Sequence, residues 1–464
     1  MKTNVLSAIL SLFLASQLLT ASAEVKKSVT RPTFADYKVS IVDYGAKNDV
    51  AVKNTAAINK AIKAVSEHGG GMVVIPAGYW LTGPIEMQSN VNLFLERNAF
   101  VSFSSDISDY MIVDTDFEGS KSSRCISPIN GKGLKNVAIT GYGVFDGSGD
   151  RWRPIKKGKL TAGQWKEMTS RPGSFNDKKD IWYPDSNAEK IRPVMLQIEE
   201  SENVLLEGVT FKNSPAWCLH PLLCKNLTIN AVSVYNPWYA QNGDALDVES
   251  CKDVVVTNSM FDAGDDAICI KSGKDEAGRK RGVPCENVYI SNNTVLHGHG
   301  GFVIGSEMSG GVKNIYIGDC TFIGTDVGLR FKSTRGRGGV VEDITIERIN
   351  MKQIPNEAIT MDLYYSANGA PSTRTDVNEG TPRFRNITMS DLYVEGAGTP
   401  IYMNGLPEMP LENIVIKGMH VSNAKNASSV KYAKNVTITG YEAADEDKFN
   451  VVSTTGLTVN GKKK

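Results

Sequence analysis

The chemistry-bearing residues of this 464-residue chain fall into four short signatures. They are Asn242-Gly243-Asp244, Gly264-Asp265-Asp266, Gly298-His299-Gly300 and Arg330-Phe331-Lys332. Intervals of 22, 33 and 31 residues separate Asp244, Asp266, His299 and Arg330. Clustered carboxylates suit acid–base work, because repulsion raises one pKa and holds a proton there while another group stays ionised. An Asp-Asp pair alone is usually a turn, and neighbours in a regular strand point to opposite faces. Asp265 then shares parity with Lys271, and Asp266 with the apolar Ile268 and Ile270. Gly264 could supply a bulge or turn that brings both outward. Arg330 and Lys332 share one face, with Leu329 and Phe331 opposite, so this strand presents positive charge to an anion or to the three aspartates. His299 is one of only five histidines, and its flanking glycines would admit a close approach of substrate.

The signatures matter only if the chain gathers them, and a repeat supplies the means. Asn or Asp followed by alternating β-formers occurs at Asn203 (NVLLEGVTF), Asn226 (NLTINAVSV), Asp253 (DVVVTNSMF) and Asn287 (NVYISNNTV). The tag continues at Asn314, Asp343, Asn386, Asn413 and Asn435, with an earlier copy at Asn136. Spacings from Asn203 vary between 22 and 43 residues. Units this small cannot bury an apolar face alone and must stack on their neighbours. A propeller wants a constant period, so the reading is an all-β, right-handed parallel β-helix of about ten coils. Residues one coil apart then lie above one another, roughly 4.8 Å apart, and the four signatures converge on one surface.

Three segments break the repeat. Residues 54–68 carry Ala57, Ile58, Ala61, Ile62 and Val65 at helical spacing, capped by Asn54 or Thr55 and stopped by Gly69 to Gly71. This helix is expected to cover the open end of the solenoid. The Gly run precedes a strand, not a helix, which argues against a phosphate-cradling loop. Residues 146–190 show no strand alternation and hold Trp152, Trp165, Trp182 and Tyr183 among many cations. They read as an insertion walling a cleft, with rings and cations suited to a sugar acid. The basic run Lys274 to Arg281 lengthens another coil and is expected to wall the same site.

Composition bounds the rest. Lysine plus arginine and aspartate plus glutamate are equal at 51 each, and 41% hydrophobic residues can cover a long core. Residues 1–23 resemble an export signal: Lys2, an apolar run from Val5 to Leu19, then Ala21-Ser22-Ala23. Residues 24–464 are expected to form one domain, exported to the periplasm or beyond, a monomer without membrane anchor or nucleic-acid partner. The seven cysteines are an odd number. They read mostly as small core residues, with a Cys218–Cys224 bridge left open. No paired Cys or His spacing suggests a metal, and no cofactor is expected.

Glycosidic-bond hydrolysis needs one carboxyl to protonate the leaving oxygen and another to activate water or attack. In their order and spacing, NGD (242–244), GDD (264–266), GHG (298–300) and RFK (330–332) resemble the motif series of the polygalacturonases, family 28 of the glycoside hydrolases. Val42 to Ala46, Thr82-Gly83-Pro84 and Asp146-Gly147 through Trp152 are also similar to that family. Gly243 stands where the family has Thr, which should loosen the turn holding Asp244, and Phe331 replaces Ile. The resemblance implies an inverting hydrolase of α-linked galacturonic acid that needs no cofactor. In it Asp265 would be the general acid, Asp244 and Asp266 would hold and deprotonate the water, and His299 would tune the acid. Arg330 and Lys332 would grip the uronate carboxylate, with Asn242 and Lys271 as further substrate contacts. Residues 266–286 resemble the exo-acting bacterial branch, so attack on homogalacturonan or oligogalacturonides from a chain end is expected. Rhamnogalacturonan or xylogalacturonan hydrolysis would use the same catalytic set. A pectate lyase and a non-catalytic carbohydrate-binding β-helix are the weaker alternatives.

Overall fold

The structure, a computed structural model, describes residues 25, 27–366, 373–444 and 448–464. The export signal expected over 1–23 lies outside the described residues. Each coil lays down short strands that pair in parallel with the coils before and after it. One ladder runs through Lys38–Ser40, Gly71–Ile75, Val91–Leu95, Lys135–Gly141, Glu202–Glu207, Lys225–Asn230, Lys252–Thr257 and Cys285–Ser291. A second joins Gly78–Thr82 to Ala99–Phe103, Val144–Asp146, Thr210–Lys212, Ser233–Tyr235, Met260–Asp262 and Thr294–His297. A third joins Ile85–Glu86, Ile129–Lys132, Leu196–Glu199, Leu219–Leu222, Leu246–Glu249, Ile268–Lys271, Phe302–Ile304 and Leu329–Lys332. Later coils merge these segments into the long strands Val312–Ile323, Val340–Asp362 and Arg383–Asn404. The expected right-handed parallel β-helix is the fold found.

The Asn/Asp tag has a double cause. Each tag residue turns the chain with a positive φ, from 52° at Asn136 to 58° at Asp253, which Asn and Asp tolerate better than other side chains. The tag amides also bond from coil to coil: Asn203 to Asn136 at 2.9 Å, Asn226 to Asn203 at 3.0 Å and Asn314 to Asn287 at 2.7 Å. Inside the coils one apolar cluster extends from Ile41 to Val459. Phe145 stacks between Phe103 (6.1 Å) and Phe211 (5.3 Å), and removing such a ring costs about 3–5 kcal/mol. The helix Thr55–Glu67 buries Ile58, Ala61, Ile62 and Val65 against the first coil, as expected. Asn54 precedes it without capping it, because its side chain is spent on Lys47, Val52 and Leu81. All seven cysteines are buried free thiols, so Cys218 and Cys224 are not bridged. No helix among the described residues is long and apolar enough to cross a membrane.

Three excursions leave the solenoid on the side of the third ladder. The insertion holds helices Ala162–Met168 and Ser186–Ile191. It also holds an antiparallel sheet of Ile155–Lys156, Ile181–Tyr183 and Ser174–Phe175, where no strand was expected. Lys274 to Arg281 is mostly helix, Asp275–Arg281. A hairpin that the repeat analysis did not isolate pairs Ile112–Phe117 with Ser120–Cys125.

Candidate active site

Strand register assembles the site. Leu219, Leu246, Ile268, Phe302 and Leu329 are stacked partners on successive coils of the third ladder. Asp244, Asp266 and Gly300 each stand two residues before one of them, so they lie rung above rung. Backbone bonds tie the rungs: Ala245 N–H to Asp266 C=O at 3.1 Å and Ala267 N–H to Gly300 C=O at 2.9 Å. Regular strand begins only at Ile268, so the parity argument that sent Asp266 to the core does not reach it. Residues 264 and 265 form a bend, and both carboxylates face the groove. A Cβ at Gly300 would meet Asp266 Oδ1 at 3.3 Å and Arg330 Cδ at 3.2 Å. Glycine there leaves the path by which Arg330 reaches Asp266. Gly243 does not loosen its turn, contrary to expectation. A Cβ on it would lie 2.6 Å from that of Ala240, which fills the space.

One oxygen from each of Asp244, Asp265 and Asp266 lies within 4.8 Å of the others. Asp266 receives Arg330 Nη1 at 3.0 Å and also binds Lys332 Nζ. Burial disfavours its charge, but these two cations outweigh that and hold its pKa below the usual range. Burial likewise opposes ionisation of Asp265, yet the hydrogen bond and charge of His299, then the Lys332 and Lys159 cations, hold it well below the usual range. His299 Nδ1 lies 3.2 Å from Asp265 Oδ1. Asp244 is the reverse case: burial first, then Asp247 and Asp265, push it well above the usual range. Among the described residues its Oδ1 has no hydrogen-bond partner, and neither does either oxygen of buried Asp247. Burial pushes Asp247 up to about 7.

The six signature residues therefore gather as expected, but two proposed substrate contacts differ. Lys271 is buried, 3.1 Å from Glu307 and 3.4 Å from Asp247, with its ammonium 4.4 Å from the centre of the Trp217 ring. It is committed to internal carboxylates and offers no free charge to a ligand. Asn242 accepts from Arg192 Nη2 at 2.6 Å and donates to Glu118 at 3.2 Å, which makes it a tie between site and hairpin. Lys332 is also buried, so of the two RFK cations Arg330 is the more accessible.

The hairpin Ile112–Cys125 covers the third ladder beside the carboxylates. Gln197, His220 and Glu249 face outward from the coils on the N-terminal side of the carboxylates, yet all are buried. The hairpin covers them. Thr115 donates to Gln197 at 2.7 Å, and Gln197 donates to the Asp116 carbonyl at 3.1 Å. Phe117 stacks on Trp217 at 5.8 Å. Arg281 clamps the hairpin through Asp116 and the sheet through Glu249, both at 2.7 Å. The Lys274 N–H bonds the Gly119 carbonyl at 3.1 Å, so the basic run does wall the site.

Tyr365 faces both cations, its ring 4.9 Å from Lys332 Nζ and 5.7 Å from the Arg330 guanidinium. On the His299 side opens a cleft of about 480 Å³ lined by Lys159, Trp238, Asp262, His297 and Asp326 among others. Of the insertion's aromatics expected to serve a sugar, Trp152, edge-on to Tyr110, and Trp182 are buried. Trp165, against the exposed Phe175, and Tyr183 are half-buried. Lys159, Tyr365 and Trp238 were missed by sequence reasoning. None sits on a repeat tag, and no local spacing marks them.

A parallel β-helix with a trio of carboxylates, a histidine and two cations on one exterior groove is the architecture of a carbohydrate-cleaving acid–base site. The glycosyl hydrolases family 28 model matches residues 91–440, and a rhamnogalacturonase A/epimerase, pectate lyase-like model matches residues 38–120. The chain belongs to family 28 of the glycosyl hydrolases. It is 27% identical to a probable polygalacturonase of Vitis vinifera, over 85% of this chain and 76% of that one. It is 25% identical to an exo-poly-alpha-D-galacturonosidase of Dickeya chrysanthemi, over 96% of this chain and 77% of that one. Among solved structures it matches a hyperthermoactive exopolygalacturonase from Thermotoga maritima with a TM-score of 0.77 and 30% identity, covering 93% of this chain and 95% of that one.

Proposed function

We propose that this glycoside hydrolase is an exo-acting polygalacturonase, cleaving α-1,4-galacturonosidic bonds of pectic chains with inversion from one chain end. The observation that carries the reading is the hairpin 112–125, which packs over the third ladder on the N-terminal side of the carboxylates and is clamped there by Arg281. A wall on that side would admit a polymer from one direction only. In this reading Asp265 protonates the glycosidic oxygen while Asp244 and Asp266 hold the water and take its proton. Arg330, backed by Lys332 and faced by Tyr365, takes a uronate carboxylate through charge-assisted bonds. His299 acts on the acid, while Asn242 and Lys271 hold the surrounding walls. The substrate is an extracellular polymer, which fits the export signal read in residues 1–23 and a mature chain acting as one domain.

Incubation of pure protein with homogalacturonan tests this. Slow loss of viscosity with early accumulation of one short product is expected. A rapid viscosity drop with a ladder of oligomers would overturn exo action, and ultraviolet-absorbing products would reveal a lyase. Turnover only on rhamnogalacturonan or xylogalacturonan fractions would reassign the backbone.

A further inference from the structure

Lys159 is the one residue of the 146–190 insertion that the structure ties to His299. Its ammonium lies 3.2 Å from His299 Nε2 and donates to the Gly264 carbonyl at 3.0 Å. The Lys159 carbonyl is itself fixed by the indole N–H of Trp238 at 3.0 Å, so the contact is anchored at both ends of the residue. An ammonium has donors only. Facing it, Nε2 must offer its lone pair, and the ring proton must then sit on Nδ1, 3.2 Å from Asp265 Oδ1.

We propose that Lys159 is a positioning residue that fixes His299 as the neutral, Nδ1-protonated tautomer, so that the imidazole donates to the catalytic acid Asp265 and takes no proton itself. The other charges around the ring are consistent with this arrangement. Asp326 stands 3.9 Å from Nε2, too far for a hydrogen bond, and Arg330 reaches the His299 carbonyl at 3.5 Å. Asp265 is the only carboxylate in contact with Nδ1 among the described residues. Without Lys159, nothing among the described residues holds Nε2 as an acceptor. A cationic His299 would bind the Asp265 carboxylate harder and withhold the proton that the leaving oxygen needs. The insertion thus sets the protonation state of the site as well as walling it.

This inference rests on Asp265 being the acid, so its test needs a readout independent of turnover. Imidazole ¹⁵N shifts of His299 in the full chain give the tautomer directly. We expect Nδ1 protonated and Nε2 bare in the native protein, and loss of that fixed tautomer in Lys159→Met. With trigalacturonate, Lys159→Met should lose about 10–100-fold in kcat, part of the roughly 10²–10⁴-fold worth of an acid–base group, with KM changed less than about threefold. Lys159→Arg, which keeps a donor-only cation, should recover the tautomer and most of kcat. Lys159→Leu supplies the same comparison if the Met variant folds poorly. A native His299 protonated on Nε2, or a Lys159→Met variant with the native tautomer and kcat, would overturn the proposal. So would a loss confined to KM, which would make Lys159 a substrate contact. Native tautomer behaviour with an active Asp265→Asn would instead sink the assignment of the acid.

Discussion

Replacing Lys332 with methionine probes the pair on which the proposed base depends. The Lys332 side chain is 7% exposed and Asp266 is 1% exposed, so the variant strands a carboxylate beyond the reach of bulk water. Removing one partner of a buried ion pair costs about 3–5 kcal/mol. Arg330 still donates to Asp266 at 3.0 Å, which places the expected loss at the lower end, about 3 kcal/mol at neutral pH. The folded pKa of Asp266 is lowered, so pairing stabilises above the unfolded carboxylate value of about 3.9 and fades as pH falls through the folded value. The stability gap between native protein and variant should therefore narrow on acidification below about pH 4. Activity should respond on the same residue. A base must be ionised, and without Lys332 the Asp266 pKa rises, so the acidic limb of the kcat/KM profile should move to higher pH. Urea denaturation across pH and a pH–rate profile on trigalacturonate measure both effects. An unmoved acidic limb, with a stability change inside the roughly ±0.5 kcal/mol of ordinary surface substitutions, would refute the buried-pair argument.

Asp265→Asn should lower hydrolysis by about 10²–10⁴-fold with unchanged circular dichroism, and retention of a tenth of the activity would remove it from the acid role. Arg281→Ala frees Asp116 and Glu249, so the hairpin should loosen and each bond cleaved should lower pectin viscosity more than in the native enzyme. An identical product profile would show that the hairpin holds without this clamp. Gly243→Thr, restoring the residue usual in the family, should destabilise by about 1–3 kcal/mol through overpacking against Ala240. A neutral result in urea denaturation would show that the 237–240 loop yields.

The solenoid was legible because its cause is local. A left-handed tag residue and a run of alternating apolar side chains recur in every coil, and coil stacking turns sequence interval into distance. For the same reason the gathering of Asp244, Asp265, Asp266, His299, Arg330 and Lys332 could be read. The walls were harder to read. The hairpin turn Glu118-Gly119 has positive φ at both residues, 49° and 72°, the geometry that Asn-Gly or Asp-Gly advertises and Glu-Gly does not. Lys159 sits in an insertion without periodicity, and nothing in its neighbourhood says that it meets Gly264 and His299 more than a hundred positions away. Lys271 was misread because parity shows which face a side chain takes but not what covers that face. Trp217 and Glu307 cover it here.

The charge state of the resting trio poses a requirement that the fold itself suggests how to meet. If Asp265 is the acid, it must carry a proton when the glycosidic oxygen arrives, yet its neighbours lower its pKa while burial and the adjoining carboxylates raise that of Asp244. Substrate reverses the balance from the outside. A uronate carboxylate on Arg330 adds negative charge near the trio, and a bound sugar ring displaces water from Asp265, so both changes raise its pKa. Asp244, whose pKa burial raises, has an oxygen within 4.8 Å of one on Asp265. A proton passed between them would leave Asp265 able to donate and Asp244 ionised, beside Asp266, to receive a proton from water. The stacking that places Asp244 one rung from Asp266 thus lets a single proton serve both halves of the reaction, and acidic substrates alone bring the charge that shifts it.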